Sequence, residues 1–167
     1  METAITALII IAVLMLSVLA LAERSLTAQA TIAESTRLLQ ERAGERARTN
    51  LMPLGARTVN SGNSVEVTLR NMGGTKLADF NQWDVFLQYT DVASGYHVEW
   101  YSSSEWTEQI YLTATPLAAE VFEPGILNPG EEMVMTINVL PGVRAGTTNL
   151  ATIVTSNGIR TSAVFTY

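Results

Sequence analysis

A chain of 167 residues has room for one ordinary domain and an appendage. The net charge of −6 comes with no basic run, so nucleic-acid binding has no electrostatic footprint here. The absence of cysteine excludes thiol catalysis and cysteine-ligated metal, and leaves the chain to fold on its core alone.

Charge and apolarity are unevenly placed. Residues 1–50 carry five Glu and five Arg, whereas residues 51–167 carry eleven acids and five bases and account for the whole net charge. From Thr3 to Ala22 no residue bears a formal charge, and Ile, Leu, Val, Met and Ala dominate. As a helix that run crosses a bilayer core of roughly 30 Å.

Residues 1–50 read as one helix. No proline precedes Pro53, Gly44 is the only glycine, and Leu, Ala, Glu, Arg and Gln are good helix formers. Some 48 residues would make a rod of roughly 72 Å, more than twice the thickness of a bilayer core. Its distal half, Glu23 to Arg48, places small or sparse apolar residues such as Ala28, Ala30, Ile32, Ala33, Leu39 and Ala43 among charges. Small residues let helices approach closely. A plain stalk lifting a domain off a membrane is the alternative reading.

Asn50-Leu-Met-Pro-Leu-Gly55 reads as a break, which makes 51–56 a linker and 57–167 an outer domain. There the pattern turns to alternation. Val65–Asn71, Trp83–Thr90, Tyr96–Tyr101, Gln109–Thr113, Met133–Leu140, Asn149–Thr155 and Ile159–Phe165 read as strands. Gly73-Gly74, Ser94-Gly95, Asn128-Pro-Gly130, Pro141-Gly142 and Asn157-Gly158 punctuate them. Asn157-Gly158 predicts a hairpin with a type I′ turn, which needs positive φ at both residues. Seven short strands with regular turns predict an antiparallel, immunoglobulin-like β-sandwich, and hence an α+β chain.

The N-terminus does not read as an ordinary signal peptide, since no basic residue precedes an apolar run that is itself too long. As a simple anchor, the first base after the span (Arg24) would favour a cytoplasmic sandwich. A cysteine-free, Ser/Thr-rich sandwich reads as exported. A short basic leader removed ahead of Met1 reconciles the two, so Met1 is expected to be a processed N-terminus.

The layout resembles the type IV pilin superfamily, and within it the archaellins and archaeal pilins. The residues that carry the resemblance are the run from Met1 to Ala20 continuing as an unbroken helix, Val67-Thr-Leu-Arg-Asn-Met-Gly-Gly74, Leu127-Asn-Pro-Gly-Glu131 and the closing Asn157-Gly hairpin. Bacterial type IV pilins carry a glutamate where this chain has Ile5, a departure that points toward archaellins. The resemblance implies a homo-oligomeric helical filament at the cell surface serving swimming motility. It also implies a membrane-inserted precursor, a leader peptidase and a dedicated assembly machinery. The polymerisation core is expected at Ile5, Leu8, Ile11, Ala12, Leu14, Val18 and Leu21. An adhesive pilus subunit and a membrane-anchored binding or stator module are the competing readings.

Little else suggests chemistry. His97, the only histidine, has no G-x-S-x-G nucleophile to serve and reads as a solvent-facing or partly packed strand residue. Asp79, Asp84 and Asp91 are a conceivable cation set without EF-hand spacing. Gly73-Gly74 lacks the Lys-Ser/Thr of a phosphate loop and suits a β-turn. Trp83, Trp100 and Trp106 read as core or interface residues. Glu2 suits the helix dipole or a neighbouring subunit's α-amino group. No N-glycosylation sequon occurs. No enzymatic role, metal or other cofactor is expected.

Overall fold

The computed structural model describes residues 2–114 and 116–167, with the side chains of Glu2 and Ala4 left aside. Met1, expected as a processed N-terminus, and the side-chain roles expected of Glu2 and Ala4 lie outside what is described. The chain divides into two compact units, residues 1–43 and residues 44–167.

The first unit lies within one helix, α1 (Glu2–Arg48), 47 residues long. At 1.5 Å per residue that is about 70 Å. The last turn of α1, from Gly44, belongs to the second unit.

The second unit is a sandwich of two antiparallel sheets. Its strands are β1 (Leu51–Val59), β2 (Ser64–Asn71), β3 (Asp84–Thr90), β4 (Tyr96–Tyr101), β5 (Trp106–Ala114), β6 (Leu117–Ala119), β7 (Glu132–Asn138), β8 (Thr148–Val154) and β9 (Arg160–Thr166). One sheet runs β1-β2-β7-β5-β6 and the other β4-β3-β8-β9. All the expected strands are present, within a residue or two at most ends; β5 begins three residues early, at Trp106.

The interior follows from period-2 alternation. Val65, Val67 and Leu69 of β2 and Met133, Met135 and Ile137 of β7 are wholly buried. Val85, Leu87 and Tyr89 of β3, with Ala151 and Ile153 of β8, are wholly buried as well. Trp83, Leu127 and Phe165 join the same core.

Three local expectations need correcting. The segment 51–56, expected as a linker, is the first part of β1, and its Leu51 is buried. Pro53 obscured this strand, but β1 is an edge strand, where a missing N–H is tolerated. The register also slips between Pro53 and Gly55. Second, β6 lies at the opposite edge and, at three residues, is too short to show a period. Third, the Asn157-Gly158 hairpin forms, but only Gly158 has positive φ (80°). Gly158 N–H donates to Thr155 O at 2.8 Å and Thr155 N–H to Ile159 O at 2.9 Å. This is a three-residue loop in which a left-handed glycine follows the turn, not a type I′ turn.

Candidate polymerisation surface

Apolar side chains surround residues 5–22 of α1 on every side. Leu8 is 70% exposed and Ile11 55%, and Ile5, Ala12, Leu14, Val18 and Leu21 are exposed too. At about 100° per residue, Leu8, Ile11, Leu14, Val18 and Leu21 share one broad face. Ile5 and Ala12 flank it, and Ile9, Val13 and Leu16 lie roughly opposite. A helix apolar all round belongs in lipid or among other helices, because water offers it nothing.

The distal part behaves differently. Beginning at Leu8, residues spaced alternately by three and four trace a seam: Leu8, Ile11, Met15, Val18, Ala22, Ser25, Gln29, Ile32, Thr36, Leu39 and Ala43. None is charged. Every charge between residues 23 and 42 falls off this seam, and only Arg42 borders it. Arg37 pairs on the other face with Glu34 at 2.8 Å and Glu41 at 2.5 Å. A 3.5-residue spacing is the repeat that keeps one stripe facing a neighbouring helix. The sequence reading noted the small residues here but missed their phase, and a heptad count alone would have found it.

Hydroxyls along the helix are satisfied by the helix itself. Ser17 donates to Val13 O (2.8 Å), Thr27 to Glu23 O (2.9 Å), Thr31 to Thr27 O (3.0 Å), Ser35 to Thr31 O (2.8 Å) and Thr36 to Ile32 O (2.8 Å). Each bond closes one turn backwards, so these groups need no water.

Within the second unit, Gly73-Gly74 ends the helix. Gly74 N–H donates to Arg48 O and Met72 N–H to Asn50 O, both at 2.8 Å. A Cβ on Gly73 would stand 2.4 Å from Arg48 O, so only glycine fits. Gly74 therefore supplies a donor to the helix terminus and Gly73 the room for close approach, a sharper role than the β-turn expected of the pair. Arg46 Nε donates to Asn157 O at 2.6 Å, and Asn157 Nδ2 to Thr49 Oγ1 at 2.8 Å.

His97 sits on the core side of edge strand β4 between two carboxylates. Nε2 lies 2.8 Å from Asp91 Oδ2 and Nδ1 3.0 Å from Glu99 Oε1, and Tyr89 stacks on the ring at 5.0 Å. Both nitrogens face acceptors, so the imidazolium form satisfies the site. The hydrogen bond that His97 donates to Asp91 raises the histidine's pKa most, against the opposing pull of desolvation, and the bond to Glu99 adds to the rise. Asp91 is lowered in turn by His97 and by Gly95 N–H. Tyr101 donates to Glu99 Oε2 at 3.0 Å, and burial pushes its phenol pKa up. Inward-pointing charge on an edge strand discourages pairing with another strand.

The remaining candidates disperse. Asp84 and Asp91 bracket β3, about 20 Å apart at strand rise, and Asp84 accepts Trp100 Nε1 at 2.9 Å. Asp79 sits at a 3-10 turn with φ 52°. Among the described residues no three His, Cys, Asp or Glu side chains gather as metal ligands would. Trp83 and Trp106 are core; Trp100 is exposed on the outer face of β4.

Comparison with known proteins gives a fold and no family. No protein-family profile matches the chain, and no curated protein sequence does. Among solved structures it is similar to the subunit of the archaeal flagellum of Methanospirillum hungatei strain JF1, with TM-score 0.63 and 17% identity over 96% of this chain and 90% of that one. It is also similar to the archaellum periplasmic stator protein FlaG of Sulfolobus acidocaldarius, with TM-score 0.51 and 22% identity over 70% of this chain and 99% of that one. The fold is archaellin-like: a long apolar N-terminal helix followed by a sandwich of antiparallel sheets.

Proposed function

We propose that the chain is a structural subunit that polymerises through α1 into a helical extracellular filament for swimming motility. The observation that carries this reading is the uncharged seam from Leu8 to Ala43. An anchor needs about 20 apolar residues. A stripe kept free of charge for some 36 residues, or about 54 Å, serves protein neighbours beyond any bilayer. Likeness over 96% of the chain to a filament subunit supports the reading, although at 17% identity it speaks for the fold alone.

In this proposal Ile5, Leu8, Ile11, Ala12, Leu14, Val18 and Leu21 form the polymerisation core, and the distal seam extends it. Before assembly the apolar run sits in the membrane, and a leader peptidase and assembly machinery act on the precursor. In the polymer, helix contacts replace lipid contacts, so close packing supplies the selectivity. A head-to-tail contact that never closes yields a filament of indefinite length. The subunit does no catalysis.

A membrane-anchored stator module is the second reading, favoured by the likeness to FlaG at 99% coverage of that chain. Negative-stain microscopy and mass spectrometry of material sheared from cells decide between them. Thin filaments containing this chain are expected; confinement of all the protein to membrane vesicles would overturn the proposal.

A further inference from the structure

The outer faces of the two sheets differ in character. On the β1-β2-β7-β5-β6 sheet, β2 presents Glu66, Thr68 and Arg70, and Glu66 pairs with Arg57 at 2.6 Å. That strand is polar outward, as in a solvated sheet, while Met52, Leu54, Leu112 and Leu117 are exposed on other strands of the same sheet. The β4-β3-β8-β9 sheet carries outward apolar side chains on all four of its strands. Cross-strand registry aligns Trp100 with Phe86, Val98 with Gln88, and Leu150 with Gln88 and Val164. Val98 and Val164 are each 62% exposed and Trp100 55%. Contiguous exposed apolar side chains on a sheet mark an interaction surface rather than scatter.

The face also has shape and charge. Phe86, Gln88, Val98, Thr152, Val154 and Arg160 line a shallow groove of about 310 Å³. Arg160, on its rim, makes no side-chain hydrogen bond or ion pair with any described residue. The groove thus sets apolar side chains beside Gln88 and Thr152, with a cation at its rim that is unpaired among the described residues.

A matching element lies elsewhere on the same unit. The connection from β6 to β7 exposes Val121 (83%) and Phe122 (65%). Phe122 lies under Lys76 Nζ, 5.8 Å from the ring centroid, and Lys76 is ion-paired to Glu123. Glu123 is thus occupied. Glu120 makes no hydrogen bond or ion pair with any described residue, and one of its oxygens is buried without a partner. The loop offers Val121 and Phe122 as apolar side chains, with the half-buried acid Glu120 beside them.

We infer that the outer face of the β4-β3-β8-β9 sheet receives the 120–123 loop of a second copy of this chain, Phe122 entering the groove and Glu120 meeting Arg160. The contact joins two different patches of identical subunits, so it is heterologous and propagates without closing. This inference rests on the filament reading, adding a lateral contact between sandwiches to the helical core. Burial of Phe122 would supply the attraction and the charge pair the register.

The chain has no native cysteine, which permits a direct test in assembled filaments of the full-length protein. Cells co-expressing Val98→Cys and Phe122→Cys subunits, distinguished by mass tags, are oxidised mildly after shearing. A disulfide-linked heterodimer is expected from the mixture and neither homodimer from either variant alone. Filaments that yield no heterodimer would overturn the inference while leaving the filament reading intact. A Val98→Cys homodimer of equal yield would assign the face to a symmetric contact and overturn it as well. Absence of filaments from the unaltered chain would remove both. Charge exchange provides an independent measure that needs no oxidation. Arg160→Glu and Glu120→Arg should each lower the temperature at which filaments dissociate, and the double variant should recover most of the loss. Additive losses in the double variant would overturn the Glu120–Arg160 pairing.

Discussion

Asn71 Nδ2 donates to Leu127 O at 3.0 Å, joining the end of β2 to a loop fifty-six residues away. The same nitrogen donates to Thr75 O at 2.8 Å, and Oδ1 accepts Gly73 N–H at 3.0 Å. Its backbone is equally engaged: Asn71 N–H donates to Glu131 O, and Asn71 O accepts Gly130 N–H. The side chain is wholly buried, and its bond to Leu127 O is made away from water. The stretches 67–74 and 127–131, far apart in the sequence, are therefore one structural feature.

Replacing Asn71 by Ala strands Thr75 O and Gly73 N–H, while Leu127 O keeps only its bond from Leu77 N–H. Each buried group left unmade costs about 1–3 kcal/mol. Urea unfolding of residues 44–167 should show a loss of about 2 kcal/mol or more for Asn71→Ala. A loss under about 1 kcal/mol would show that the network is dispensable. Asn71→Asp keeps the acceptor but places a carboxylate against two carbonyls, and should be at least as damaging.

Residues 44–167 are expected to fold without 1–43, because their core is self-contained. Circular dichroism should show a β-rich spectrum and a single cooperative melt. A fragment beginning at residue 55 discards buried Leu51 and half of β1, and should be less stable by about 2–5 kcal/mol, the usual loss for removing a buried leucine. Equal stability of the two fragments would contradict the assignment of β1 to the sandwich.

The His97 cluster makes stability depend on pH in a defined window. His97 has a raised pKa, so its contribution is complete below about 6.5 and fades as pH climbs through the raised value. Asp91 has a lowered pKa, so its contribution is complete above about 3.9 and fades as pH falls through the lowered value. The stability difference between the parent and His97→Asn, followed by urea midpoints, should be greatest near pH 5–6. It should shrink at pH 9 and again at pH 2–3. A difference that stays flat across this range would mean the histidine acts by packing alone.

Assembly should respond to volume inside the apolar run. Ile11→Asp buries a charge at an estimated cost of roughly 2.5–3.5 kcal/mol per subunit and should abolish filaments, whereas Ile11→Leu should preserve them. A simple anchor would also suffer from Ile11→Asp, so Ala12→Trp is the discriminating change. Lipid accommodates the indole; a close-packed helix bundle does not. Electron microscopy of normal Ala12→Trp filaments would contradict a core built from this segment.

Much of the fold was legible because its signals are local. An uncharged run, alternation at Val65–Asn71 and turn residues at fixed offsets each report on a few neighbouring residues. The edges were harder. Pro53 suggests a break unless one knows that β1 has no neighbour on one side, which is a property of the assembled sheet. His97 looked solitary because Asp91 and Glu99 become its partners only when the hairpin registers Tyr89 opposite it. Gly73-Gly74 looked like a turn because its real partner, Arg48 O, is twenty-five residues upstream. The distal seam was legible throughout and needed only a count at 3.5 residues rather than a tally of small side chains.

The back-bonded hydroxyls of α1 bear on how a subunit changes surroundings. A side chain that binds its own helix one turn earlier brings its solvent with it. Ser17, the one of these inside the apolar run, would exchange no hydrogen bond on passing from one dry medium to another. Its partition between acyl chains and protein is then nearly thermoneutral, and this hydroxyl gives such a step neither a barrier nor a direction. Shape alone sets the sign, so a small gain in fit suffices to draw the helix across and a small loss returns it.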